Sequence, residues 1–109
     1  MFQTGAEVAY ESGFSSLKGG RVAVICNPTS LIRQLHGRVH LVDALVGAGV
    51  EVSKLFGPEH GLWSTAQDMI GVDSGRDPIF ELPVETLYGH EEATLVPRPE
   101  SFAGVDTLV

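Results

Sequence analysis

The sequence predicts an α/β domain in which a parallel β-sheet carries helices on its faces. Short apolar runs rich in β-branched residues alternate with a segment of helical periodicity, and glycine or proline ends most of the runs. No internal repeat and no Ser- or Pro-rich linker interrupts the 109 residues, and 43% of them are hydrophobic, which is enough to bury one core. We therefore expect one continuous domain over residues 1–109.

The first half of the chain predicts a strand, a helix and a second strand. Residues 21–26 (RVAVIC) have the composition of a strand buried on both faces. Apolar residues then recur at helical spacing over residues 39–48, and glycines supply a stop. The second strand covers residues 50–56 and ends at a Gly-Pro pair, since proline cannot continue a β-ladder. A further helix is expected within residues 5–17.

The second half continues the alternation less regularly. Residues 59–78 form a looser segment, after which we expect a strand over 83–87, a brief helix over 100–103 and a last strand over 105–109. Alternation of this kind predicts right-handed crossovers and a Rossmann-like layer. The last strand stops without the loop or helix that should follow it, so we expect an incomplete domain, the N-terminal part of a longer protein.

Composition argues against several classes of function. The formal charge is -7 and no cluster of Lys and Arg stands out, so nucleic-acid binding has little support. The one cysteine, Cys26, lies in an apolar run and is expected to be a buried, inert thiol; it can form neither a disulfide framework nor a multi-thiolate metal site. The sequence contains no membrane-spanning run and no signal peptide, although removal of a signal before residue 1 leaves export open.

Polar residues follow three of the predicted strands, in the loops 27–30, 57–61 and 88–92. Ligands of open α/β sheets bind beyond the carboxyl ends of the strands, so these loops should converge on one site. Asn27, Thr29 and Ser30 could bind a ligand there, or form a strand-ending turn with a helix cap. Tyr88 could present its phenol to a ligand, or simply end a strand before Gly89.

The loop LFGPEHGLW (residues 55–63) is the densest in chemical groups. A carboxylate beside an aromatic wall has a raised pKa and can donate a proton. The functional interpretation makes Glu59 a general acid or base, His60 its hydrogen-bonding partner and Trp63 an apolar wall. The structural interpretation is a tight loop whose acid caps a helix and whose tryptophan lies in the core.

Other catalytic and cofactor motifs are incomplete or absent from the sequence. His36 and His40 stand four residues apart, but the glutamate of a zinc-protease helix is missing and Gly37 weakens a helix between them, which favours two surface histidines. Neither G-x-G-x-x-G nor a P-loop nor G-x-S-x-G occurs. We therefore expect no metal and no cofactor.

Four segments carry a family resemblance: KGGRVAVICNPTSL (18–31), LFGPEHGLW (55–63), LPVETLYG (82–89) and GVDTLV (104–109). Together they resemble bacterial exo-β-N-acetylmuramidases of the NamZ type, long catalogued as a domain of unknown function. The resemblance runs from about residue 5 to the last valine. It implies a glycoside hydrolase that removes N-acetylmuramic acid from the non-reducing end of peptidoglycan fragments, with a Rossmann-like N-terminal domain and a smaller C-terminal domain.

The resemblance also implies roles for individual residues. Glu59 matches the acid of the family's GPEHG block and would be a catalytic carboxylate, and His60 would orient it or the sugar. Asn27, Thr29 and Tyr88 match polar positions that would contact the substrate. Trp63 departs from the family pattern. The second catalytic group would lie in the missing part or be the sugar's own 2-acetamido group, so the stereochemical outcome stays open.

Two other hypotheses remain beside the hydrolase: a module that binds a cell-wall sugar without cleaving it, and a structural domain with an empty crevice. For the hydrolase and for the binding module, the partner is a saccharide or muropeptide containing muramic acid. The isolated chain is expected to have little activity, because one wall of a cleft cannot exclude water. Its exposed sheet edge could also pair with a second copy to form a homo-oligomer.

Overall fold

A computed structural model of the protein describes residues 2–58, 75–76, 80–87 and 92–109, with backbone alone at residues 75, 76 and 94. The described elements are α1 (Gly5–Glu11), β1 (Arg21–Ile25), β2 (Leu31–Gln34), β3 (Gly37–His40), α2 (Leu41–Gly47), β4 (Glu51–Gly57), β5 (Gly75–Arg76), β6 (Pro83–Thr86) and β7 (Thr107–Leu108). Short 3-10 turns lie at Ser15–Leu17, Glu92–Leu95 and Pro99–Phe102.

The main sheet has the strand order β5-β6-β4-β1-β7. Strands β6, β4, β1 and β7 are parallel to their neighbours, and only the short β5 pairs antiparallel with β6. The predicted α/β class with a parallel sheet is therefore confirmed. The two central strands are heavily buried, as their unbroken apolar composition predicts for strands covered on both faces.

The core lies between one face of the sheet and α2. Val42 and Leu45 of α2 are fully buried against Val22, Val24 and Leu55 of the sheet. This is the stripe of apolar residues at helical spacing in the sequence, now packed on the β-branched strands. The helix ends where Gly49 takes a φ of +84°, a conformation that glycine adopts without steric cost.

The opposite face of the sheet is covered near its middle by the segment Pro99–Phe102. The Phe102 ring lies 5.5 Å from the Phe56 ring, and Phe56 and Ala23 are buried. Ile25, on the same side at the end of β1, is 42% exposed. The sheet is therefore flanked on both faces, with a partly open area beside the carboxyl end of β1.

The sequence does not predict the hairpin that β2 and β3 form. Its strands pair antiparallel with Ile32 opposite Val39, and Ile32 is fully buried. A single inward residue in β2 leaves no alternation to detect, and Leu35, an apolar residue at the tip, is 91% exposed. The helix expected over residues 39–48 consequently begins only at Leu41.

Other element boundaries also differ from expectation. The N-terminal helix stops at Glu11, because Gly13 and Phe14 both have positive φ, and a 3-10 turn takes up Ser15–Leu17. The helix expected at 100–103 is a 3-10 turn over Pro99–Phe102, and the last strand shortens to Thr107–Leu108. Most of the loose segment 59–78 lies outside the described residues. No helix in the described part of the chain is long and apolar enough to cross a membrane.

Candidate functional site

The carboxyl ends of three strands lie side by side at one edge of the sheet. Ile25 of β1 is opposite Phe56 of β4, and Gly57 of β4 is opposite Thr86 of β6. Pairing continues past the strands, since the Cys26 amide donates to the Phe56 carbonyl at 3.2 Å and the Leu87 amide donates to the Gly57 carbonyl at 2.8 Å. The three polar loops of the sequence therefore leave the sheet from the same edge, where open α/β sheets bind ligands.

The loop after β1 is a turn organised by one side chain. The Asn27 Oδ1 atom accepts hydrogen bonds from the Thr29 amide (3.0 Å), the Thr29 hydroxyl (2.8 Å) and the Ser30 hydroxyl (3.3 Å). The Ser30 Oγ atom in turn accepts from the Asn27 amide at 3.1 Å. The strand-ending turn, one of the two interpretations of the sequence, is therefore present as an Asx-type turn. The expected helix cap is not, because the chain continues into β2 and α2 begins only at Leu41. The turn occupies the oxygen of the Asn27 amide and not its nitrogen, while Thr29 is exposed.

The remaining predicted site residues lie outside the described residues. These are Glu59, His60 and Tyr88, and with them Trp63. The structure does describe the residue that precedes each undescribed segment: Pro58, directly before Glu59, and Leu87, directly before Tyr88. The roles of Glu59, His60, Tyr88, Asn27 and Thr29 toward a substrate stay predictions.

His40 belongs to this edge of the molecule, although the sequence favoured a surface histidine. It is half-buried at the end of β3, and its ring lies between the loop and α2. The Nε2 atom is 2.8 Å from the Asn27 carbonyl oxygen, and Nδ1 accepts a hydrogen bond from the Val42 amide at 3.2 Å. The signal in the sequence was a polar residue directly before the apolar run of a helix, which is the N-cap position. His36 is exposed, as expected.

A polar cluster on the opposite face of the sheet was also missed. Lys54 Nζ donates to Glu85 Oε2 at 2.5 Å and to the Ser101 carbonyl at 3.0 Å, and the Ser101 hydroxyl donates to Glu85 Oε1 at 2.5 Å. These residues lie on β4, β6 and the segment Pro99–Phe102, so no local pattern in the sequence joins them. The ammonium group of Lys54 also lies 5.0 Å from the centroid of the Phe56 ring.

The environment of Glu85 decides what its carboxylate can do. Burial raises the pKa of the Glu85 carboxyl, but hydrogen bonds from Lys54 and Ser101 and the nearby Arg98 charge outweigh that effect and hold the pKa below its usual value. Glu85 is therefore ionised at neutral pH and already hydrogen-bonded through both oxygens. A general acid needs a proton to give, so Glu85 is not suited to that role.

A second ion pair fastens α1 to the hairpin, away from the three strand ends. Arg33 Nε donates to Glu7 Oε1 at 2.6 Å, and the Thr4 amide donates to Glu7 Oε2 at 2.8 Å. Together these contacts, that of Arg33 first, lower the pKa of the Glu7 carboxyl to about 2. Beside the pair is a surface groove of about 530 Å³, lined by Gln3, Glu7, Tyr10, Glu11, Arg33, Gln34 and Leu35.

Metal-ligating side chains are not grouped within the described ranges. No cluster of three or more His, Cys, Asp or Glu residues occurs in that part of the chain. Cys26 is buried at the end of β1, as predicted for an inert thiol.

Comparison with known proteins identifies relatives over nearly the whole sequence. Residues 22–109 match the family described as "Exo-beta-N-acetylmuramidase NamZ, N-terminal". The chain is 34% identical over 107 residues to the peptidoglycan beta-N-acetylmuramidase NamZ of Bacillus subtilis (strain 168), which is 98% of this chain and 25% of that protein. It also resembles the crystal structure of a DUF1343 family protein from Bacteroides fragilis NCTC 9343, with a TM-score of 0.78 and 36% identity over 97% of this chain and 24% of that one. The chain thus spans about a quarter of the length of these relatives.

Proposed function

The chain belongs to the NamZ N-terminal family, and from that membership we propose that it forms part of the active site of a glycoside hydrolase. The proposed reaction releases N-acetylmuramic acid from the non-reducing end of peptidoglycan fragments. The observation that carries this proposal is the alignment of three strand ends. One edge of the sheet holds the turn at Asn27, Pro58 directly before Glu59, and Leu87 directly before Tyr88.

In this proposal some residues at the edge take part in the reaction and others bind the saccharide. Glu59 is the catalytic carboxylate, which protonates the glycosidic oxygen or assists the attack on the anomeric carbon. His60 orients Glu59 or the sugar. Asn27, Thr29 and Tyr88 bind the saccharide by hydrogen bonds, for which the exposed Thr29 hydroxyl and the Asn27 amide nitrogen are the groups of the described loop.

The second catalytic group has two possible sources. Most glycosidases place two carboxyl groups across the scissile bond, and the others use the 2-acetamido group of the substrate as the nucleophile. Glu85 lies one register position from the strand end, but Lys54 and Ser101 occupy its carboxylate. We therefore propose that the second group comes from another part of a longer protein or from N-acetylmuramic acid itself.

We also propose that residues 1–109 form one continuous portion of a larger N-terminal domain within a two-domain protein. Five of the described strands make the main sheet, with β7 as an edge strand among them. Leu108 is 45% exposed there. An exposed edge of this kind can pair with another strand, which in the isolated chain would be that of a second copy.

The experiment that tests the function is replacement of Glu59 by glutamine in the longer protein that carries this sequence. The substrate is a peptidoglycan fragment with N-acetylmuramic acid at its non-reducing end. Release of that sugar is measured together with affinity for the fragment. Loss of a general acid or base should lower kcat by about 10²–10⁴-fold, while affinity changes little. Glu51→Gln is the matched control, because Glu51 is an exposed carboxylate at the first residue of β4, the end of that strand opposite to Glu59.

Two outcomes would count against this proposal. Full turnover in the Glu59→Gln protein would remove Glu59 from the chemistry, although the protein would still be a hydrolase. A wild-type protein that binds the saccharide without cleaving it would instead be a binding module, the runner-up among the hypotheses.

A further inference from the structure

The two hydrogen bonds of the His40 ring determine where its proton lies. A carbonyl oxygen can only accept, so Nε2, at 2.8 Å from the Asn27 oxygen, carries the hydrogen. A backbone amide can only donate, so Nδ1, which the Val42 amide approaches to 3.2 Å, carries a lone pair. Both bonds are satisfied together by one form alone, the neutral imidazole protonated on Nε2.

His40 connects a rigid part of the fold to the turn at the edge of the sheet. Val42, the residue it caps, is fully buried in the core on α2. The turn at Asn27 is bonded to the beginning of the same helix a second time, since the Leu41 amide donates to the Ser30 carbonyl at 2.8 Å. The ring therefore joins the first turn of a helix packed in the core to the residue that organises the turn.

We propose that His40 is a positioning residue whose ring, as the Nε2–H tautomer, holds the Asn27–Ser30 turn for the substrate. The role toward substrate rests on the proposed function; the tautomer and the bridge do not. The position of Asn27 and Thr29 is thus coupled to a residue outside the loop.

Charged groups on the elements packed around His40 are few in the described part of the chain. Asp43 lies in the first turn of α2 and is exposed, and Arg38 lies two residues before His40 on β3. Arg33 is opposite Arg38 on β2 and is paired with Glu7 of α1. The turn 27–30 carries no ionisable side chain. The two ring bonds, and not an ion pair with the turn, therefore link His40 to this loop.

Two amide variants separate the two bonds of the ring. The asparagine side chain matches the reach of Nδ1, so His40→Asn retains the helix cap and loses the bond to Asn27. The glutamine side chain matches the reach of Nε2, so His40→Gln retains the bond to Asn27 and loses the cap. Both variants are uncharged, as the neutral ring is.

The first measurement is the ¹⁵N spectrum of the His40 ring in the wild-type chain at neutral pH, with the amide signals of Thr29 and Ser30 compared between the wild type and the two variants. We expect a protonated Nε2 and an unprotonated Nδ1, and displaced amide signals in His40→Asn but not in His40→Gln. A ring protonated on Nδ1, or amide signals that ignore the loss of the bond to Asn27, would overturn the proposal.

The second measurement is the kinetics of the two variants in the longer protein. His40→Asn should raise KM by about 2–10-fold with kcat little changed, which is the effect of one lost hydrogen bond. His40→Gln should keep KM close to wild type, because the bond to Asn27 remains. Equal effects of the two variants would show a merely structural role and overturn the proposal. If the wild-type protein releases no N-acetylmuramic acid, the proposed function fails, but the ring spectrum still decides the bridge.

Discussion

The backbone amide of Leu87 donates to the carbonyl oxygen of Gly57 at 2.8 Å, so β4 and β6 remain paired up to the residues where their loops begin. On the other side of β4, the Cys26 amide closes the same edge by its bond to Phe56. Segments that are about thirty residues apart in sequence therefore start from neighbouring backbone positions. A site assembled at this edge is supported by hydrogen-bonded strands and not by the loops alone.

The turn at Asn27 offers a prediction that separates its structural role from its proposed contact with substrate. Asn27→Ala removes the acceptor of three hydrogen bonds and should lower the free energy of unfolding by about 1–2 kcal/mol. Asn27→Asp keeps an oxygen at the same position and should stay within about 0.5 kcal/mol of wild type. Urea denaturation of the three proteins measures both values.

The aspartate variant then isolates the proposed substrate contact. It lacks the amide nitrogen that we assign to the saccharide, so its KM should rise although the turn is intact. A destabilised Asn27→Asp protein would contradict the description of the turn. An Asn27→Asp protein with unchanged KM would contradict the assigned contact.

The ion pair between Glu7 and Arg33 should make the stability of the fold depend on pH in the acid range. Contacts with Arg33 and Thr4 lower the pKa of Glu7 from 4.5 to about 2, so the folded chain binds fewer protons than the unfolded chain between these values. The stabilisation is fully present above about pH 4.5 and is lost as the pH falls toward 2. Glu7→Gln should thus be less stable than wild type at neutral pH and equal to it near pH 2.

Unfolding in urea at a series of pH values tests this dependence. Glu11→Gln is the control on the same helix, because the Glu11 carboxylate is exposed and accepts a hydrogen bond from the Gln3 side chain. Its free energy of unfolding, plotted against pH, should run parallel to that of the wild type. Parallel curves for Glu7→Gln as well would show that the pair contributes nothing that depends on protonation.

The cluster of Lys54, Glu85 and Ser101 should stabilise the packing of the segment Pro99–Phe102 on the sheet. Lys54→Met leaves the carboxylate of Glu85 partly buried without its cation and should cost about 1–3 kcal/mol of unfolding free energy. Adding Glu85→Gln removes the unpaired charge and should recover part of the loss. Lys18→Met, at an exposed lysine, should change little. A double variant less stable than Lys54→Met would contradict this description.

The sequence predicts the central sheet well, because buried strands and an amphipathic helix carry their own patterns. The strands at 21–26, 50–56 and 83–87 are found within one residue at every end, and the loop positions follow from them. The hairpin β2–β3 was not predictable in this way. Ile32 is the one fully buried residue of its two strands, and an alternation cannot be recognised from a single point.

The candidate site shows the same division between local and long-range information. The turn at Asn27 follows from an Asn-Pro-Thr-Ser sequence that favours Asx turns. The bridge from His40 to that turn joins residues thirteen positions apart, and the bonds of Lys54 join residues up to 47 apart. Such contacts depend on the packing of separate elements, so no window of the sequence contains them.

Two glycines at the end of α2 should respond in opposite directions to the same substitution. Gly47 lies in the last turn of the helix with open space where a Cβ would stand, so Gly47→Ala should stabilise the fold by about 0.5–1 kcal/mol through helix propensity and a less flexible unfolded chain. Gly49 also has open space, but its φ of +84° is one that an alanine adopts at a cost of about 1–2 kcal/mol. Because the space is open at both positions, the comparison tests backbone conformation alone. Thermal or urea unfolding of both variants measures the difference, and two shifts of the same sign would contradict the positive φ of Gly49.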